Sequence, residues 1–201
     1  MGTREDIVGA AAQIMRTEGF ARATTKEIAR AAGYSEATLY KHFRDKTEIF
    51  LHVLDGRLPG LGALLAELEE HPGRGEVRAN LEELVTTALR FYADAFPLAV
   101  SLFSSRRLLD AHRARIDELG AGGPRYPLVA LARYLAAEQR RGRVRAGADP
   151  DAMAGLLLGA CFQHAFLVTF SGETPSSGQL SALAARLVAT VLEPTASDAG
   201  S

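Results

Sequence analysis

Apolar residues recur at intervals of three and four along almost the whole chain, and no run of four or more alternates apolar with polar in the manner of a strand. Such a chain folds as helices packed on helices. Ile7, Val8, Ala11, Ile14 and Met15 form a stripe that predicts a first helix from about Arg4 to Glu18, closed by Gly19. Thr24 and Glu27 have the spacing of a capping box, in which hydroxyl and carboxylate each satisfy a free amide, and open a short second helix to about Ala32. Gly33 ends it, and Ser35 is an N-cap for a third short helix, Glu36 to about Phe43. Asp45 with Glu48 repeats the box and opens a fourth helix through Ile49, Phe50, Val53 and Leu54, kinked or ended near Pro59-Gly60.

The stretch His71 to Gly75 is the first loop-rich break after this cluster, and the helices lengthen beyond it. Leu81, Leu84, Val85, Ala88, Leu89 and Tyr92 form one face of a fifth helix, and Pro97 is placed to begin a sixth carrying Phe103 and Leu108. Glycines from Gly120 precede a seventh with Leu128, Leu131, Tyr134 and Leu135. Asp149-Pro150-Asp151 opens an eighth to about Phe170. Ser176 and Gln179 cap a ninth, which Pro194 stops. The expected organisation is an N-terminal helix-turn-helix segment, 1–50, a helical C-terminal segment, 51–194, and a frayed tail, 195–201.

Residues 152 to 172 include no charged side chain, a length able to span a bilayer. Gly155, Gly159, Gln163, His164 and Thr169 dilute the apolar character, and the flanks are the acids Asp151 and Glu173 rather than basic residues. No membrane partner is expected. A helix apolar on every side must instead cover its own core and a second surface, most economically another copy of itself. Together with the ninth helix it is expected to form a four-helix bundle about a two-fold axis. Gly155 and Gly159 allow close approach there, and Leu183, Leu187 and Val191 supply apolar contact.

Twenty-three Lys and Arg against twenty-four Asp and Glu leave a formal charge of −1, so any preference for nucleic acid must come from local clustering. A lone cysteine, Cys161, can make neither an internal disulfide nor a thiolate zinc site, which fits a reducing compartment. The first residues lack the basic and apolar runs of an export signal, so a cytoplasmic location is expected. Local clustering is present. Between Arg22 and Lys46 stand six basic residues (Arg22, Lys26, Arg30, Lys41, Arg44, Lys46) and three acids. Two short helices joined by Gly33-Tyr34-Ser35 match a helix-turn-helix, whose second helix enters the major groove of double-stranded DNA. Ile28, Ala29, Ala32, Leu39 and Phe43 supply its buried side. Outward on the third helix are Glu36, Ala37, Thr38, Tyr40, Lys41 and His42. Of these, Lys41 can donate to guanine, Thr38 and Ala37 can touch a thymine methyl, and Tyr40 and His42 can reach phosphates. Lys46, at the next helix start, suits an anion.

The run from Thr24 to Lys46 resembles the DNA-binding signature of the tetracycline-repressor (TetR) family. The Ile28-Ala29, Ala32-Gly33, Leu39-Tyr40, Phe43 and Lys46 landmarks are in register, and the detailed resemblance extends from Ile7 to about Phe50. Tyr34 stands where an aliphatic residue is common. The resemblance implies an all-α, nine-helix architecture whose last two helices make a homodimer. It also implies a regulator, usually a repressor, that occupies palindromic operators and releases them when a small-molecule effector binds the C-terminal part. Carried over, Thr25, Tyr40, His42 and Lys46 are phosphate contacts, and Glu36, Ala37, Thr38 and Lys41 face base edges. Lys26 and Ser35 complete the expected DNA-binding set.

Tyr92, Phe96, Phe103, Tyr134, Phe162 and Phe166, with the polar Gln163, are the candidates for an effector pocket, although an aromatic on a helix is more often core. Gln163 and His164, if buried, need partners. The competing class is a helical-bundle enzyme that binds a small molecule. No Gly-x-Ser-x-Gly, His-Glu-x-x-His, phosphate-cradling glycine loop or Cys/His metal spacing occurs, so neither catalytic residues nor a cofactor nor a metal is expected.

Overall fold

A computed structural model describes residues 2–56, 59–120 and 122–193, and within these the chain is helical throughout, with no strand. Its segments are α1 (Thr3–Arg22), α2 (Thr25–Ala31), α3 (Glu36–His42), α4 (Lys46–Asp55), α5 (Pro59–Glu70), α6 (Val77–Phe103), α7 (Arg106–Leu119), α8 (Tyr126–Arg140), α9 (Pro150–Ser171) and α10 (Ser177–Leu192). The caps lie where the sequence places them. Thr24 and Glu27 exchange the two hydrogen bonds of a capping box, as do Ser176 and Gln179, and Asp149 accepts from the amides of Asp151 and Ala152. At α4 the box is displaced by one residue: Asp45 accepts from the Glu48 amide, while Glu48 reaches back to the Arg44 amide at 2.7 Å. Gly19, at φ 80° and ψ 163°, breaks the helical path of α1, and a last turn closes beyond it through the Ala23 amide on the Gly19 carbonyl.

The boundary expected at Pro97 differs. Pro97 lies inside α6 rather than at a helix start. Its ring removes one amide, the one that would bond to the carbonyl of Ala93, yet helix continues on both sides because both ends are anchored. Ala88 and Leu89 are fully buried on one side of the proline and Leu98 on the other. The helix ends instead at Ser104-Ser105, where Ser105 caps α7 through the Leu108 amide. The stop expected at Pro194 and the tail 195–201 lie outside the described residues.

By packing the chain forms two units. Of the described residues, one comprises 2–56, 94–120 and 122, the other 59–93 and 123–193, the division within α6 falling between Ala93 and Asp94. Residues 94–122 thus pack with the N-terminal helices, although chain order alone groups them with the C-terminal segment. In the first unit Ile7, Ala11, Met15, Ile28, Leu39, Ile49, Phe50 and Leu98 are fully buried. Full burial of a side chain of this size contributes roughly 1.5–3 kcal/mol. Ala29 is 1% exposed, so a larger residue there would push α2 off its neighbours.

The core of the second unit is built from α5, α6, α8, α9 and α10 around Leu81, Leu84, Val85, Leu131, Leu135, Leu157 and Val188. Within it Glu138 is fully buried. Its carboxylate accepts from the Gly73 amide at 2.6 Å and faces the Arg143 guanidinium at 3.3 Å. Gln139 donates to the carbonyls of Arg145, Ala146 and Ala148. The two neighbouring side chains therefore hold the 71–75 and 141–149 loops, a network that periodicity could not disclose because its members are far apart in sequence.

Candidate nucleic-acid interface

α2 and α3 each have seven residues, too short to persist alone, and the connection between them is fixed by the backbone. Gly33 adopts φ 81°, a left-handed conformation that L side chains rarely take, and the Tyr34 amide bonds back to the Ala29 carbonyl at 2.9 Å. The Tyr34 hydroxyl donates to Asp6 of α1 at 3.0 Å. That bond gives a physical reason for an aromatic residue at a place commonly aliphatic. Ser35 caps α3, its hydroxyl accepting from the Thr38 amide at 3.1 Å and pairing with the Thr38 hydroxyl at 2.9 Å.

Lys26, Ser35, Ala37, Tyr40, Lys41 and His42 are exposed, and Thr25, Glu36, Thr38 and Lys46 are half-buried. Tyr40, a large ring, is 51% exposed. The surface of α3 therefore presents hydroxyl, phenol, amine and imidazole groups on a wedge whose inner side, Leu39 and Phe43, is packed. Thr25 and Glu36 begin successive helices and meet: the Thr25 hydroxyl donates to Glu36 Oε1 at 2.6 Å and lies 3.2 Å from the Tyr40 hydroxyl.

Lys46 has an internal role that the sequence did not disclose. Its ammonium donates to the carbonyls of Phe20 at 2.8 Å and Ala23 at 2.9 Å and sits 4.3 Å from the centre of the Phe20 ring. Burial holds its pKa below the usual lysine value. The end of α3 is held in a similar way. The Phe43 ring has the Arg4 guanidinium 5.2 Å and the His52 imidazole 5.6 Å from its centre, while Arg4 donates to His52 Nε2 at 2.7 Å. Behind them Asp55 pairs with Arg115 of α7 at 3.3 Å. Burial, then the charge of Arg4, holds His52 below its ordinary pKa, opposed by Asp55 and Glu48. The nearby His112 Nδ1 is buried and has no hydrogen-bond partner among the described residues.

The expected pocket residues divide between the units. Phe96 and Phe103 belong to the first, where Phe103 is 71% exposed. Tyr92, Tyr134, Phe162, Gln163 and Phe166 belong to the second. There Tyr92 and Phe162 meet edge to face at 5.8 Å, and burial raises the Tyr92 phenol to about 12. Tyr134 is core, accepting from Asn80 at 2.9 Å. Gln163 is exposed, and the buried Nε2 of His164 has no hydrogen-bond partner among the described residues.

α9 is apolar on two sides, and by length and composition alone it could cross a membrane. Met153, Ala154, Leu157, Leu158, Cys161 and Ala165 face the core. Gly155, Leu156, Gly159, Phe162, Phe166 and Phe170 are exposed at intervals of one helical turn. On α10, Leu183, Leu187 and Val191 are half-buried against the same core.

The geometry defines an all-helical protein with an N-terminal helix-turn-helix. Residues 7–53 match the family model described as bacterial regulatory proteins, tetR family. The nucleoid occlusion factor SlmA of Vibrio campbellii is 48% identical over 48 residues, 23% of this chain and 24% of that protein. The HTH-type transcriptional repressor BepR of Brucella suis is 34% identical over 93 residues, 45% of this chain and 43% of that protein. The matched region thus spans about a quarter to under half the length of these curated relatives. Among solved structures, the regulator FadR from Bacillus subtilis in complex with stearoyl-CoA superposes with a TM-score of 0.65 at 16% identity, covering 94% of this chain and 97% of that one. The likeness to the tetR family of bacterial regulatory proteins thus lies in the N-terminal residues 7–53, which hold the helix-turn-helix.

Proposed function

We propose that the protein is a sequence-specific transcriptional regulator, a ligand-responsive repressor that acts as a homodimer on a palindromic operator in the cytoplasm. The observation that carries this reading is the exposed face of α3, with Thr38, Tyr40, Lys41 and His42 on a short helix locked by its own caps. Thr25, Lys26, Ser35, Tyr40 and His42 supply contacts that orient the protein on phosphates, while the Lys46 ammonium is engaged by the Phe20 and Ala23 carbonyls; Glu36, Ala37, Thr38 and Lys41 supply those that read bases.

The Gly155 and Gly159 part of the outward face of α9, extended by α10, is the surface for a second copy. Two recognition helices must then sit in major grooves about 34 to 36 Å apart, or a multiple of it. An effector that favours another separation weakens operator binding by its differential affinity for that state and touches no DNA. Tyr92, Phe162 and Phe166 are the residues favoured to meet such a molecule, and the stearoyl-CoA held by a protein of the same fold makes an apolar effector the first class to screen. The role is regulatory rather than enzymatic.

The test is binding to duplex DNA over a range of salt, with Lys26→Ala beside the unaltered protein. Binding that weakens with salt, and that Lys26→Ala weakens alike on every sequence, supports the reading. Absence of salt-sensitive duplex binding overturns it.

A further inference from the structure

The contact among Thr25, Glu36 and Tyr40 fixes where two protons point. A hydroxyl has one proton to give, and a carboxylate only accepts. At 2.6 Å from Glu36 Oε1, Thr25 gives its proton to the acid. With that proton committed, the Thr25 oxygen, 3.2 Å from the Tyr40 hydroxyl, accepts the tyrosine's. The chain of donation therefore runs from Tyr40 through Thr25 to Glu36, and both hydroxyls on this face are turned inward. Glu36 Oε2 receives no hydrogen bond from the described residues, and the side chain is half-buried at the start of α3.

Resting on the assignment of α3 as the element that meets DNA, we propose that Glu36 is a specificity-determining gate that withholds the phosphate-binding hydroxyls until the right base is met. A base edge with an amino donor in the major groove, cytosine N4 or adenine N6, draws the carboxylate outward. Thr25 and Tyr40 then turn their protons to the phosphate backbone. Guanine and thymine place a carbonyl oxygen there instead, so the acid meets acceptor with acceptor and the hydroxyls stay engaged. Discrimination thus comes from a repulsive element as well as an attractive one, and base identity is coupled to backbone grip.

A double-mutant cycle on the full-length protein tests this, with affinities measured on a selected operator and on a duplex of unrelated sequence. On the unrelated duplex Glu36→Ala tightens binding on the order of tenfold, the worth of one charge-assisted hydrogen bond regained. Thr25→Val is nearly silent there in the unaltered background and weakens binding in the Glu36→Ala background. Glu36→Gln, the same size without the charge, shifts the unrelated duplex in the same direction, and Thr25→Ser behaves as the unaltered protein. Unchanged thermal midpoints establish that the variants are folded. If Thr25→Val and Glu36→Ala are additive on both duplexes, or Glu36→Ala leaves the unrelated duplex unchanged, the gate is overturned while the regulator reading stands. If the unaltered protein binds no duplex, both fall.

Discussion

The ammonium of Lys46 donates to the carbonyl of Phe20 at 2.8 Å and stands over the ring of the same residue, at 4.3 Å. One side chain thus closes the break at Gly19 by satisfying carbonyls at the end of α1 and covering an aromatic face. Lys46→Met keeps the stem and removes the charge, and it lowers unfolding free energy by about 2 kcal/mol in chemical denaturation, since hydrogen bonds to a charged group are worth roughly that. Operator affinity falls with it.

Acid should loosen the same unit. The Arg4 guanidinium always donates, so its bond to His52 Nε2 at 2.7 Å requires that nitrogen to be unprotonated. Both His52 and His112 are held below the ordinary value of 6.5, chiefly by burial. The unfolded chain then takes up protons first, and the stability present above that value is lost as pH falls below it. Thermal midpoints measured downward from neutral pH decline through this range, and His52→Gln reduces the decline. An identical acid limb in His52→Gln would show that His52 is not its source.

Glu138 is fully buried, with Gly73 and Arg143 as partners. Glu138→Ala leaves the Gly73 amide without its acceptor and the Arg143 guanidinium without its ion-pair partner, a loss of about 3 kcal/mol by analogy with broken buried pairs. Equilibrium unfolding in urea measures it; a change within about 0.5 kcal/mol, the range of ordinary surface substitutions, would contradict the role given to this network.

Gly159 has no heavy atom within 4 Å of where a Cβ would stand. Gly159→Arg therefore leaves a single chain folded with unchanged helicity, and its effect is confined to association. Sedimentation is expected to show a dimer for the unaltered protein and a monomer for the variant. A variant that still sediments as a dimer moves the interface off this stripe of α9.

What the sequence disclosed was local. Thr24 with Glu27, Ser35 with Thr38 and Ser176 with Gln179 are three residues apart, so their hydrogen bonds are written in the spacing. The exposed face of α3 was legible for the same reason, since seven residues between two caps admit one helical phase. What stayed hidden depends on partners far along the chain. Nothing near Lys46 shows that its ammonium turns to Phe20 and Ala23, and nothing near Glu138 names Gly73. Pro97 misled because the preference for a helix start is weaker than burial of Leu89 and Leu98 on either side. Ser104-Ser105, by contrast, carried a capping signal that marks the true break.

Selection of bound sequences from random duplex DNA at moderate salt tests the central claim most directly. The account predicts enrichment of an inverted repeat whose half-sites lie one helical turn, or a multiple of it, apart, and a changed half-site for Lys41→Ala. A pool that stays random, or a half-site indifferent to Lys41 and Thr38, would contradict it.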